Sequence, residues 1–379
     1  MRTSNTSRDV CLLTYRGVLA VCLAVSFAGL AYAIDPNRMM SQYVRDRWGA
    51  EQGFPRGPVY AITQTPDGYL WFGMEDGLVR FDGVNFVTVR DDSKTFNVTS
   101  VLGLTADDDG NLWLRMERSN LVRYRNGVFE NPPVDVPYQR FRITGMSRTN
   151  QGDLMVSLPP GEVVSHRQGK FEMLASGELP RTPILSLVQT PSGTIWVGTR
   201  DAGLFRLNGR RADAITKGIP DPKINCLLLD GKETLWIGTD TGIARWNGTE
   251  LTAPAIPESL NRFQALAMVK DRDGNLWIGT DSRLLRLNAN GLASFEDRGS
   301  GQAVTSVFED REGSLWIGST NGIERLRDSA FVSYSPSEGL PTDGNIPVFV
   351  DSENRTWFPP IDGGLWWMKD GRHGQVTQA

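Results

Sequence analysis

A tryptophan returns about every 41 residues along this chain, each time inside nearly the same phrase. The phrases read Leu70-Trp71-Phe72-Gly73, Leu112-Trp113-Leu114, Ile195-Trp196-Val197-Gly198-Thr199, Leu235-Trp236-Ile237-Gly238-Thr239, Leu276-Trp277-Ile278-Gly279-Thr280, Leu315-Trp316-Ile317-Gly318-Ser319 and Thr356-Trp357-Phe358. One slot, Leu154-Met155-Val156-Ser157, carries Met155 in place of the tryptophan. The eight anchors are spaced 42, 42, 41, 40, 41, 39 and 41 residues apart, a period that identifies a repeat architecture.

Each repeat spells four short strands. In the copy around Trp277, Ala265 to Val269 is an apolar run, and Asp271-Arg272-Asp273-Gly274-Asn275 is hairpin chemistry. Leu276 to Thr280 is a second strand rich in β-branched and aromatic residues. Leu284 to Leu287 is a third, and a weaker fourth lies near Leu292 to Phe295. No window sustains a 3.6-residue apolar period, which excludes helical and leucine-rich repeats. The expected fold is therefore all-β: a β-propeller of four-stranded antiparallel blades, seven or eight in number, over residues 41–379. The tryptophans read as core between neighbouring blades, and the glycine after each as room for close backbone approach.

Residues 1–33 have the form of a signal peptide. Arg2, Arg8 and Arg16 precede the largely apolar run Val18 to Leu30, and Ala31-Tyr32-Ala33 is a small-x-small cleavage signal. The run is short for a membrane span, although an uncleaved anchor is the alternative. Cleavage after Ala33 removes three Arg and one Asp, taking the net charge from −4 to −6. That acidity, without a basic cluster, argues against nucleic acid as a partner. Cys226 is then the one remaining cysteine, read as a small buried residue.

The sequence allows two closures of the ring. Gln42 to Trp48 precedes the first full repeat and has the look of a spare fourth strand, which needs a partner. An eight-blade ring would pair it with Leu365-Trp366-Trp367-Met368; a seven-blade ring would place it beside Trp316. The expectation leans to eight blades.

The phrases resemble the two-component regulator propeller repeats of periplasmic bacterial sensors. The resemblance is carried by Gln52-Gly53-Phe54-Pro55, by Val59 to Gly73, by Glu75 to Gly83, and by Glu338-Gly339-Leu340-Pro341 before the eighth copy, and it covers about residues 41–370. It implies an exported sensor of two seven-bladed propellers, a β-sandwich, a membrane span and a cytoplasmic output domain, commonly a histidine kinase and sometimes a diguanylate cyclase. This chain has roughly half the usual repeats and neither the span nor an output domain. The resemblance thus implies the ligand- or partner-sensing part of a signalling protein, with its output in a missing C-terminus or another chain.

No catalytic constellation is visible, so no enzymatic activity is expected of this chain. His166 and His373 are the two histidines, far apart in sequence, and no metal or cofactor site is legible. Propeller lyases share the blade phrase but rely on a histidine and a metal, and a protein-binding scaffold is the other alternative. Recognition is expected on the turns between second and third strands, where the copies differ. The candidate ligand residues there are Arg115, Glu117, Arg200, Asp201, Asp240, Asp281 and Asp362. Arg115 stands where the repeat wants Gly, and Arg suits bidentate binding of a carboxylate. The expected partner is a small molecule, an oligosaccharide or a periplasmic protein.

Overall fold

The computed structural model describes residues 34–117, 121–131, 143–167, 170–209, 211–231, 233–260, 262–295, 302–338, 347–359, 364–369 and 372–376. These residues form eight four-stranded antiparallel sheets. Among the described residues, helix is confined to short 3-10 turns such as Met40–Gln42. Within a copy the strands run in sequence order. Blade six, for example, is Ala265–Lys270, Leu276–Thr280, Leu284–Asn288 and Gly291–Ser294.

Seven of the sheets close a ring. Their first strands, Val59–Gln64, Val101–Ala106, Met146–Arg148, Ile184–Gln189, Ile224–Leu229, Ala265–Lys270 and Val304–Glu309, contact one another in that order, and the seventh returns to the first. The glycines after the tryptophans explain how the blades come so close. A Cβ on Gly73 would lie 2.7 Å from Val101 O, on Gly198 2.5 Å from Ile224 Cγ2, and on Gly279 2.6 Å from Val304 O. Each collision is with the next blade. On Gly318 of blade seven the obstacle includes Val59 Cγ1, at 2.8 Å, so the next blade there is blade one.

Between the blades sit the repeated indoles. Trp113, Trp196, Trp277 and Trp316 are among the largest fully buried side chains. Each belongs to an apolar cluster that extends into the following blade, as Trp316 does with Val59, Phe72 and Phe81. Truncating such a ring to alanine costs about 3–5 kcal/mol, so these interfaces supply much of the stability of the ring.

The seventh blade corrects the expected closure. Its fourth strand is Val44–Trp48, paired antiparallel with Gly322–Arg327 in the register Val44↔Arg327 to Trp48↔Ile323. Leu365–Lys369 pairs instead with Thr356–Phe358 and Arg372–Val376. The pairing of Gln42 to Trp48 with Leu365 to Met368 therefore does not form, and the cycle of first strands closes with seven blades. The physical reason is side-chain fit. Trp48 stacks on Trp316 with centroids 5.5 Å apart, and Asp46 accepts from Arg325 and Arg327. Glu324 is gripped by Arg45 and Arg47. With Val59 already against Gly318, blade one leaves no gap for another sheet.

The eighth sheet, Phe349–Val350, Thr356–Phe358, Leu365–Lys369 and Arg372–Val376, lies outside the cycle of first strands. Phe349 is 66% exposed, whereas Phe308 at the same place in copy seven packs into the cluster between blades seven and one.

The N-terminal segment is bound as closely as a strand. Ile34 is 1% exposed, in a cluster with Tyr43, Trp277, Leu315 and Leu326. Side chains of blade six hold its main chain: Asn275 Nδ2 donates to Ile34 O at 2.9 Å, Asn288 Nδ2 to Pro36 O at 3.0 Å and Arg286 Nη1 to Arg38 O at 2.8 Å.

Candidate functional site

The second-to-third strand turns and the starts of the first strands lie at one end of the ring, because the second strand runs antiparallel to the first. At that end, six of the seven first strands change register against their neighbour. The residues at those bulges are Tyr60, Leu102, Leu185, Asn225, Leu266 and Thr305. A bulge bends the strand locally and re-aims a side chain. Repeated around the ring, it builds a mouth of partly exposed apolar and polar groups with a charged rim.

The rim is best defined at blades one and two. Tyr60 Oη reaches Glu75 Oε2 at 3.5 Å. Burial raises the Tyr60 phenol above its ordinary range, and the carboxylates of Glu75 and Glu117 push it the same way. Glu117, one of the expected site residues, is exposed, and its backbone N–H bonds Ser100 O at 3.0 Å.

Arg115 is half-buried, and its Nη2 donates to Leu102 O at 2.9 Å. Burial pulls its guanidinium below the usual arginine range. An arginine fits here because its cross-strand partner is Gly103, whereas the glycine-bearing copies place Ala61, Ser186, Cys226, Ala267 or Ser306 opposite. A Cβ on Gly103 would lie 3.2 Å from Arg115 Nε. The small residue has changed strands to admit a large one.

The remaining expected residues are not drawn into one cluster. Arg200 and Asp201 are exposed at the blade-four turn, where Arg200 N bonds Pro183 O at 3.0 Å. Asp240 is occupied within its own blade, accepting from Asn225 Nδ2 at 2.8 Å and Lys223 Nζ at 3.1 Å. Asp281 is exposed and accepts from Gln264 N at 3.4 Å. Asp362 lies outside the described residues, on the copy that is not in the ring.

Two features went unnoticed in the sequence. The first is an aspartate six residues before the tryptophan, which accepts the indole N–H: Asp107 with Trp113 at 2.9 Å, Asp230 with Trp236 at 3.0 Å, Asp271 with Trp277 at 2.8 Å and Asp310 with Trp316 at 2.6 Å. The second is the arginine directly across from the anchor tryptophan on the third strand: Arg123, Arg206, Arg245 and Arg325 place their guanidinium groups over Trp113, Trp196, Trp236 and Trp316 at 5.3 to 6.0 Å. The constant six-residue offset was the available signal for the first.

His166 occupies a core position, packed on Trp113 and Phe171 with centroids 4.9 and 4.8 Å away. His373 pairs with Met368 in the eighth sheet. Among the described residues no group of three or more His, Cys, Asp or Glu is arranged to hold a metal ion. Cys226 is half-buried, and burial pushes its thiol up to about 12.

Comparison with known proteins agrees with this architecture. The model of the family described as "Two component regulator propeller" matches residues 53–76, 178–201, 259–282 and 298–321. These four segments match the two-component regulator propeller repeat. Similar solved structures include the extracellular domains of two proteins of B. thetaiotaomicron described as hybrid two component systems. With BT3049 the identity is 22% and the TM-score 0.69, over 88% of this chain and 49% of that one. With BT4673 they are 21% and 0.61, over 88% and 47%. The chain thus spans about half the length of these relatives. Virginiamycin B lyase from Staphylococcus aureus is also similar, at 16% identity and TM-score 0.61, over 75% of this chain and 99% of the lyase. At these identities the likeness is one of fold. Comparison with curated protein sequences finds no match.

Proposed function

We propose that this regulator propeller is the ligand- or partner-sensing region of an exported bacterial signalling protein, and that the mouth ringed by the bulge residues is its recognition surface. The observation that carries the reading is the same bulge in six blades, set beside turns that differ from copy to copy. A rigid ring bearing variable loops suits recognition. Side chains there offer apolar surface, carboxylates and the partly desolvated Arg115, a mixture suited to a small polar molecule, an oligosaccharide or a periplasmic protein. The chain itself has no turnover in this reading, and the signal peptide of residues 1–33 sends it to the periplasm.

The exposed apolar groups in and beside the eighth sheet, Val348, Phe349, Val350 and Leu365, support a place in a longer protein, since ring blades cover the corresponding face. The test is the DNA downstream of the codon for Ala379. Continuation in frame into further repeats, a membrane span and a kinase or cyclase is the expected result. A natural stop followed by unrelated sequence would favour a protein-binding scaffold instead.

A further inference from the structure

At the opposite end of the ring, the blade-six side chains that hold the N-terminal segment have counterparts in blade two. Counting from the tryptophan, Asp271 and Asn275 of copy six correspond to Asp107 and Asn111 of copy two. Across the sheet, Arg286 faces Trp277 as Arg123 faces Trp113. Of the seven ring copies, only these two have Asn two residues before the anchor; the others have Tyr69, Asp153, Thr194, Thr234 and Ser314. The inner bonds are also the same. Asn275 Nδ2 donates to Asp271 Oδ2 at 2.8 Å, and Asn111 Nδ2 to Asp107 Oδ2 at 2.6 Å.

The difference is what lies on top. In blade six, Asn275 Nδ2 also donates to Ile34 O, its Oδ1 accepts from Asn288, and Ile34 packs on Leu315 and Leu326 of blade seven. In blade two there is a cavity of about 430 Å3, bounded by Asn111, Trp113, Arg123 and Arg125 and, from blade three, by Asp153 and His166. Asn111 is 5% exposed and His166 is 7% exposed. Asn111 Oδ1 and His166 Nε2, both buried in the wall of this cavity, have no hydrogen-bond partner among the described residues. His166 stands where copy seven has Leu326, so a polar group replaces an aliphatic one at the floor. Its packing on Trp113 explains its burial but leaves Nε2 unbonded.

We propose that the cavity between blades two and three is a binding slot for an extended polypeptide segment of a partner protein. A peptide N–H donates to Asn111 Oδ1. Peptide carbonyls accept from Arg125 and from Arg123, whose Nε and Nη2 hold Glu130 Oε1 at 3.0 and 2.9 Å and whose other N–H groups take the place of the Arg286 Nη1 that binds Arg38 O. A side chain bearing a hydroxyl or amide meets His166 Nε2. Main-chain groups confer affinity in such a mode, and the floor selects the side chain. The slot is separate from the mouth, so it serves a second partner or anchors the ring against one.

The probe is a synthetic decapeptide with the sequence of Ile34 to Tyr43 carrying Ile34→Ser, so that a hydroxyl meets His166, and a photoreactive benzophenone in place of the Met39 side chain. It is added to the exported full-length chain, and labelled residues are located by mass spectrometry. Labelling of blades two and three is expected, weakened about tenfold by Asn111→Ala and by Arg125→Ala, the loss of one hydrogen bond each. Arg125 is exposed, so Arg125→Ala keeps the test valid if Asn111→Ala fails to fold. Labelling confined to blades six and seven would overturn the proposal, since the probe would then only displace the native segment. So would an absence of labelling at millimolar probe. Protection of the slot by maltoheptaose as strong as by unlabelled peptide would also overturn it, in favour of a carbohydrate site.

Discussion

Trp113, Trp236, Trp277 and Trp316 each give their indole N–H to an aspartate, and Trp71 gives its own to Thr65 Oγ1 at 2.8 Å. Trp196 differs: its Nε1 is buried without a partner among the described residues, and the residue six before it is Thr190, whose hydroxyl bonds Ser192 at 2.8 Å. Leaving such a donor unpaired costs about 1–3 kcal/mol. Thr190→Asp is therefore expected to raise the melting temperature by a few degrees; an unchanged or lower value would show that the carboxylate's own burial outweighs the new bond. Glycines give a second residue-scale contrast. Gly318→Ala forces a Cβ against Val59 of blade one and is expected to cost about 1–3 kcal/mol, read from the urea midpoint. Gly103→Ala meets only the flexible ends of Arg115 and Met146 and the Arg115 Cβ at 3.4 Å, so less than about 1 kcal/mol is expected. His166 gives a pH dependence. Burial, then the charge of Arg123, lowers its pKa below the ordinary 6.5. A depressed folded pKa means that the unfolded chain takes up the proton first. The stability contributed is present above about pH 6.5 and is lost as the pH falls through the folded value. His166→Leu, which restores the side chain of Leu326, is expected to melt with a smaller drop between pH 7 and 5 than the parent. Equal drops would place that acid sensitivity on the carboxylates.

At the scale of the element, the strand Val44–Trp48 decides how the ring closes. It joins the first described residues to the last blade by five cross-strand pairs and by ion pairs from Asp46 to Arg325 and Arg327. The neighbouring Gln42 and Ser41 reach further along the chain, to Ser333 O and Glu338. Such a strand covers an edge that would otherwise be exposed to another chain. A cysteine pair tests the register. Asp46→Cys with Arg325→Cys, in a background lacking Cys226, is expected to form a disulfide readily, since the two positions are directly opposed. Tyr43→Cys with Trp367→Cys is expected to stay reduced; the reverse pattern would restore the eight-blade ring.

For the whole molecule, a cycle of seven blades needs nothing from the eighth sheet. Thr305 and Ser306 donate to Val59 O, and Arg311 Nη1 to Pro66 O at 2.8 Å, so blade seven is bonded to blade one without an intermediary. Repeat assemblies derive their stability from neighbour-to-neighbour interfaces. A chain cut after residue 343 is accordingly expected to melt within about 2 °C of the longer one and to aggregate less, having lost the exposed Phe349 and Leu365. A fall of ten degrees or more would mean that the eighth sheet supports the ring.

The period of the tryptophan, the hairpin phrase before it and the glycine after it determined the blade, its four strands and the burial of the indole, because those are local preferences repeated in every copy. How the ring closes was not legible in the copies, for a physical reason. Counting copies says how many sheets can form, whereas closure depends on which side chains Val44–Trp48 meets, and Trp316, Glu324 and Arg325 lie some 280 residues away. The candidate rim was legible as a set of turns, and the structure drew Glu117 towards Tyr60 while leaving Asp240 committed to Asn225 and Lys223. Least legible was the likeness of Asn111 to Asn275. Each reads alone as a turn residue, and only the docking of Ile34 to Arg38 on one of them shows what the other is shaped to hold.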